Sequence, residues 1–346
     1  MSKASTLDYE STVNVGRESF GKRLVSANTL WTGLVLLVLY VVFSIMRPDA
    51  FLTLFTFQTL LIEAAVLLVL TVGMTFVIIT SGIDLSVGSV LVFAGVVGAQ
   101  VMEGMSPGGD ATGAGAGVIL VGLLATVASG AVWGLLNGVL IAKANIPPLI
   151  VTLGSFGAAL GAAQLLTGGS DVRTVPAQLR DWLGFGQTGG VPHMVILAAV
   201  VALHGAWLLR TTRFGRNNYA IGSNAEAARR VGINVTGHLA ATYAYVGALA
   251  GLAGFMSLAY FGTTTISGHS TDNLNAIAAV VIGGTSLFGG VGTVLGSVIG
   301  VFIPAVLTKG FVVIGVQPYW QPIAVSIVLV AAVWLDQVRR KARNSR

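Results

Sequence analysis

The sequence predicts an all-α polytopic membrane protein of about ten transmembrane helices, some of them broken at glycine, with both termini in the cytoplasm. Three observations carry that prediction. Of 346 residues only 9% are charged and 54% are hydrophobic, with a mean hydropathy of +0.85, whereas soluble domains run about 25% charged. Apolar runs close to the roughly 20 residues needed to span a bilayer recur along the chain. The 46 glycines suit helices that approach one another closely in lipid. With no cysteine in the chain, disulfides and thiol chemistry are excluded.

Taken in order, residues 1–28 are polar and mixed in charge, with no apolar core ahead of a cleavage site. They read as a cytoplasmic tail rather than a signal peptide. A membrane domain follows over 29–337, and 338–346 form a basic cytoplasmic tail. The first span, roughly 29–46, ends at Arg47-Pro48-Asp49. The second, 55–79, runs into the polar break TSGIDLSVG at 80–88, and the third covers 89–103. A Gly/Pro/Ser-rich loop at 104–115 separates it from the fourth, 116–142, which stops at Asn145-Ile-Pro147-Pro148. The fifth, 149–167, precedes a polar loop, and the sixth, 192–209, delivers the chain to an arginine-rich segment. Four more follow at 238–262, 273–283, 292–308 and 319–336. The eighth is too short to cross as a plain helix, so it is expected to be broken or extended through its glycines.

Basic residues fix the orientation. With the N-terminus inside, fifteen of the nineteen Lys and Arg fall in cytoplasmic loops or tails, and four (Arg47, Arg173, Arg180, Lys309) fall outside. The net charge of +6 is therefore a topology signal, and nucleic acid is not an expected partner.

One cytoplasmic stretch, 210–237, stands apart, with five arginines within twenty-one residues. Ser223 and Glu226 have the S-x-x-E spacing of a capping box. Arg229 and Arg230 suit the last turn of the helix so started, and Gly232 suits its left-handed C-terminal position. Such a helix has about two turns and is too short to stand alone. It needs the membrane domain on one side and a partner on the other.

Few polar groups lie in or near the spans. Asp84 has two readings: an N-cap for the third span, or a direct contact to a transported solute. Glu63, mid-span, either lines a polar path or is a neutral hydrogen-bonded acid between helices. Thr80, Ser81, Asn137, Thr152, Ser155, Gln164, Asn273 and Asn275 lie at span ends. Their hydroxyls and amides suit a polyhydroxylated solute and serve equally as interhelical hydrogen bonds. A weak internal echo, G-x-x-L-x-x-G at 82–88 and again at 284–290, is either a transporter-type repeat or a chance match in glycine-rich sequence.

No phosphate-binding loop, H-E-x-x-H or G-x-S-x-G motif occurs, and the four histidines have no metal-ligand spacing. Two intramembrane acids are a thin basis for ion coupling. A self-contained carrier or channel for a small polar solute is therefore the second reading. The first is a transporter energised by a partner docked on the cytoplasmic face.

Three motifs resemble one family: TSGIDLSVGS at Thr80–Ser89, NAEAARRVGINV at Asn224–Val235, and IGGTSLFGGVGTVLG at Ile282–Gly296. Together they are similar to the permease subunit of bacterial ABC importers for ribose, xylose, arabinose and related sugars, over about residues 30–337. The resemblance implies a plasma-membrane permease without a catalytic site that carries a monosaccharide, a pentose such as ribose first. Nucleoside, polyol and autoinducer-2 permeases also belong to the family. It implies cytoplasmic ATPase subunits holding ATP and magnesium, an extracytoplasmic sugar-binding protein, and a second permease copy or a related one, with no cofactor bound by this chain. It further implies that Glu226, Ala227, Ala228 and Gly232 belong to the loop that couples permease to ATPase. Asn224, Arg229, Arg230 and Asn234 are expected beside them, with Arg213, Gly215 and Arg216 in support. Arg229 and Arg230 are alternatively a topology signal that meets lipid headgroups.

Overall fold

The computed structural model describes residues 27–317 and 319–344, so the proposed N-terminal tail lies almost wholly outside the described residues. The spans appear as α1 (Ala27–Met46), α2 (Leu54–Ile79), α3 (Val87–Gly104), α4 (Ala116–Lys143), α5 (Pro148–Thr167) and α6 (His193–Thr211). Next come α7 (Arg213–Ser223) and α8 (Ala225–Arg230), then α9 (Val235–Phe261), α10 (Asp272–Ile282), α11 (Val294–Val313) and α12 (Trp320–Asn344). Among the described residues seven helices are long and apolar enough to cross a membrane. Three shorter apolar stretches, Thr32–Met46, Asp272–Ile282 and Trp320–Ala331, lie at the first, eighth and tenth expected spans. The last helix does not stop at 337 but continues to Asn344.

Local chemistry explains the boundaries. Thr53 accepts the Thr56 N–H at 3.1 Å and so opens α2. Pro148 occupies the first turn of α5, where its missing donor is harmless, and Gly168 closes that helix at φ 63°. Thr293 caps α11 by accepting the Gly296 N–H at 3.1 Å. The eighth span, α10, remains an eleven-residue helix. It is not lengthened through its glycines, because Gly284 turns the chain away at φ 92°.

The core sits around α2, which is buried along nearly its whole length, whereas α4, α5 and α6 keep most of their apolar surface outward toward lipid. The closest packing joins α4 to α9. A Cβ on Gly130 would stand 2.2 Å from the Gly247 carbonyl oxygen, and one on Gly134 2.1 Å from that of Tyr243. Glycine at every fourth position over 130, 134 and 138 of α4 thus lets two backbones touch, which is how membrane helices gain contact without a hydrophobic driving force. A hydroxyl pair, Thr75 to Ser297 at 2.7 Å, ties α2 to α11 in the same interior.

On the extracytoplasmic side the polar loop folds into a short helical turn (Ala177–Leu179), one π turn (Arg180–Gly184) and a two-residue-per-strand hairpin (Gln187–Thr188 with Val191–Pro192). Asp171 fastens this loop to the next one by accepting from Thr264 Oγ1 at 3.1 Å and the Ile266 N–H at 3.0 Å.

Candidate functional site

The arginine-rich segment forms two helices. In α7, Thr212 accepts the Gly215 N–H at 3.2 Å, and Gly215 lies against α6: a Cβ there would be 2.0 Å from the Leu209 carbonyl oxygen. Arg216 donates to the Thr211 carbonyl at 3.0 Å, and Arg213 is exposed. Asn224 is the N-cap of α8, with Oδ1 accepting the Ala227 N–H at 2.9 Å. The expected Ser223–Glu226 capping box does not form, because Ser223 is the last residue of α7. Glu226 instead pairs with Arg230 at 3.3 Å and Arg229 at 3.8 Å, all three exposed.

The C-terminal expectation for α8 holds in detail. Gly232 has φ 87°, its N–H reaches the Arg229 carbonyl at 3.0 Å, and the Ile233 N–H reaches the Ala228 carbonyl at 3.0 Å. That is the Schellman pattern. Its usual apolar contact is present too, since Ile233 packs on the small cluster of Ile221, Ala228 and Val235. Asn234 then caps α9 through the Gly237 N–H at 3.0 Å. A six-residue helix is thereby held at both ends, with Ala228 (3% exposed) facing the protein. Asn224, Glu226, Ala227, Arg229, Arg230, Gly232 and Val231 (76% exposed) face outward, a charged surface with an apolar tip.

Beneath it, three segments meet. The Gly290 N–H donates to the Ile79 carbonyl at 2.9 Å, joining the α10–α11 link to the end of α2. Ser81 Oγ lies 2.9 Å from the Phe288 carbonyl oxygen and 3.1 Å from that of Gly222 at the end of α7. Tyr219 donates to the Gly292 carbonyl at 2.8 Å, and burial raises its hydroxyl pKa above the ordinary tyrosine value. Ser81 holds φ 64°, a left-handed conformation uncommon outside glycine that clusters at functional sites. The first and third of the motifs that carry the family resemblance are thus in direct contact, and α7, which leads into the second, bears on both.

The remaining candidates fall into two groups. Asp84, Asn137, Thr152 and Asn273 gather on the break between α2 and α3. Asp84 accepts from the Ser86 N–H at 2.8 Å and hydroxyl at 2.6 Å, an Asx turn; it is not the N-cap expected for the third span, because α3 starts at Val87 and Ser86 holds that position. Asn137 donates to Ser86 Oγ at 3.0 Å, Thr152 to the Ile83 carbonyl at 3.2 Å and Asn273 to the Leu85 carbonyl at 3.0 Å. Helices α4, α5 and α10 are thereby fastened to one irregular strand of backbone. Thr80 bonds back to the Val77 carbonyl, and Ser155 accepts from the Trp133 indole. Glu63, Gln164 and Asn275 instead line cavities. Glu63 and Asn275 border one of about 260 Å³, and Gln164 a second of about 190 Å³; His269 borders both. Lys309 donates to Glu63 Oε1 at 3.0 Å.

The repeated G-x-x-L-x-x-G pattern is not used equivalently. Gly284 and Gly290 are left-handed, at φ 92° and 73°, while Gly88 is helical in the first turn of α3.

Sequence reasoning missed the contacts made by Tyr219, Gly222 and residues 288–292, and the pairing of Lys309. The motif at Ile282–Gly296 was a usable signal for the second of these, and a lysine inside an apolar run for the last.

A bundle of apolar helices interrupted by breaks, with a short capped helix exposed at one end, has the form of a membrane transport component. The chain matches the family described as branched-chain amino acid transport system / permease component over residues 56–333, and it belongs to that family. It is 37% identical over 310 residues to the ribose import permease protein RbsC of Escherichia coli K12, covering 89% of this chain and 93% of the relative. It is 36% identical over 303 residues (85% and 90%) to the galactose/methyl galactoside import permease protein MglC of Haemophilus influenzae. It is 32% identical over 338 residues (95% and 99%) to the D-allose transport system permease protein AlsC of E. coli K12. No solved structure matches the chain.

Proposed function

We propose that this chain is the permease of an ATP-driven importer in the bacterial plasma membrane and carries a monosaccharide, with ribose first among the candidates. The observation that carries the sugar reading is near-full-length similarity to permeases named for ribose, galactose and allose.

A cytoplasmic ATPase supplies ATP, magnesium and hydrolysis, an extracytoplasmic binding protein delivers the solute, and a second permease completes the path. Support for the ATPase-docking role lies in α8. It is too short to persist unaided, is fixed at both ends, exposes its charged face and follows directly on α7, which bears on the two helix breaks. Displacement of α8 moves α7, and α7 bears on Ile79, Ser81 and Gly290 without an intervening flexible linker. Closure of the ATPase dimer around α8 would in this way rock α2 and α11 between outward- and inward-facing arrangements. Packed contacts of this kind can carry coupling to an element with two states.

The test is reconstitution. Permease, ATPase and binding protein in proteoliposomes should accumulate labelled D-ribose, D-galactose or D-allose only when ATP is present on the ATPase side. Uptake that persists without the ATPase would overturn the importer reading in favour of a self-contained carrier.

A further inference from the structure

The cavity between α2, α9, α10 and α11 is bordered by ionisable side chains. It holds about 260 Å³ and is bordered by Glu63, Tyr260, His269, Asp272, Asn275 and Thr308, among others. A larger cavity of about 400 Å³ between α2, α6 and α11 is lined by apolar side chains throughout, so it offers a polar solute no hydrogen bond. Drug-sized ligands occupy roughly 300–1,000 Å³, so the polar cavity matches a smaller solute.

We infer that this cavity binds a neutral polyhydroxylated solute on the extracytoplasmic half of the path. Glu63, Asp272 and Asn275 would take hydroxyl groups, and Tyr260 would cover an apolar face of the ring. Glu63 lies nine residues, or roughly 14 Å, from the extracytoplasmic start of α2. One of its oxygens accepts from Lys309 at 3.0 Å, and the pair cancels in charge. A carboxylate has about four lone-pair positions, so acceptors remain for a solute. Glu63 borders the cavity and its side chain is 37% exposed, with the 15% exposed Lys309 behind it. Asp272 Oδ2 lies 2.7 Å from His269 Nδ1, and His269 Nε2 lies 2.8 Å from Ser257 Oγ, which fixes the opposite wall. A Lys-paired Glu63 with unused acceptors, beside the Asp272 carboxylate and the Asn275 amide, favours a hydroxylated solute over an anion. Intramembrane ionisable groups are in any case costly to retain without a task.

This inference rests on the sugar-importer reading, and the chain itself supplies the test, since it has no cysteine. Asn275→Cys or Thr308→Cys gives this chain a single thiol, whose labelling is read on the permease band after assembly with its ATPase and binding protein in proteoliposomes. A membrane-impermeant maleimide added on the binding-protein side should modify either thiol. D-ribose under turnover should slow the reaction several-fold, and L-leucine should not. Glu63→Gln should lower D-ribose uptake about tenfold while ATP hydrolysis stimulated by the loaded binding protein persists, a split that a purely structural pair would not produce. Thiols that do not react, or that react equally with and without sugar while wild-type uptake is intact, would overturn the site alone. Failure of the wild-type importer to take up D-ribose, D-galactose or D-allose would remove the sugar reading and the site together.

Discussion

Gly222 touches Ile79 backbone to backbone: a Cβ on Gly222 would stand 1.7 Å from the Ile79 carbonyl oxygen and 2.7 Å from the Gly290 nitrogen. The end of α7 is therefore wedged between two helix breaks with no room for a methyl group. Gly222→Ala must displace backbone rather than a flexible side chain, an overpacking penalty of about 1–3 kcal/mol. Solute uptake should be lost, and the thermal midpoint of the purified chain should fall. Tyr219→Phe, which removes only the bond to the Gly292 carbonyl, should cost about 0.5–1.5 kcal/mol and leave measurable uptake.

Gly232→Pro should be more damaging to α8 than its exposed position suggests. Proline holds φ near −65° and has no N–H, whereas this residue sits at φ 87° and donates to the Arg229 carbonyl. Both features of the C-terminal cap disappear. Co-purification with the ATPase should fail although the chain still inserts, which protease mapping of the loops would establish.

Asn224 supplies the opposite end of the same helix. Loss of an N-cap side chain costs about 0.5–2 kcal/mol, and serine restores most of it. Asn224→Ala should weaken ATPase association, and Asn224→Ser should recover it. Titration of purified ATPase against permease in nanodiscs would distinguish the two. Equal loss in both would mean that the amide contacts the ATPase directly.

Membrane architecture was legible in the sequence because its signals are long. Apolar runs, the arginine asymmetry, the proline pair before α5 and the glycine at 232 each act through chemistry within a few residues. The capping residue of α8 was missed by one position. Ser223, Asn224 and Glu226 offer overlapping cap patterns, and the choice between them depends on α7 continuing to Ser223, which packs against Gly290. The role of residues 288–292 was hidden for another reason. Their contacts are made by backbone groups to partners more than sixty residues away, and backbone groups leave no residue-type signature. Glu63 with Lys309 is separated by 246 positions, so only the fold brings the charges together.

Glu226 separates support of the helix from docking. Its partners Arg229 and Arg230 are 52% and 78% exposed and Glu226 itself 62%, and exposed ion pairs are typically worth 0–1 kcal/mol. Asn224, not Glu226, caps the helix. Glu226→Gln should therefore leave the thermal midpoint of the isolated permease nearly unchanged. Glu226→Lys places three cations on less than two turns of an exposed helix, yet its effect on folding should remain within about 1 kcal/mol. If the carboxylate meets a cation of the ATPase, charge reversal sets like charges against each other across the interface, which can cost several kcal/mol. The ATPase should then bind roughly tenfold or more weakly, with uptake lost and the melting curve intact. A melting midpoint that drops by several degrees while ATPase affinity stays at the wild-type value would assign Glu226 to helix stability alone.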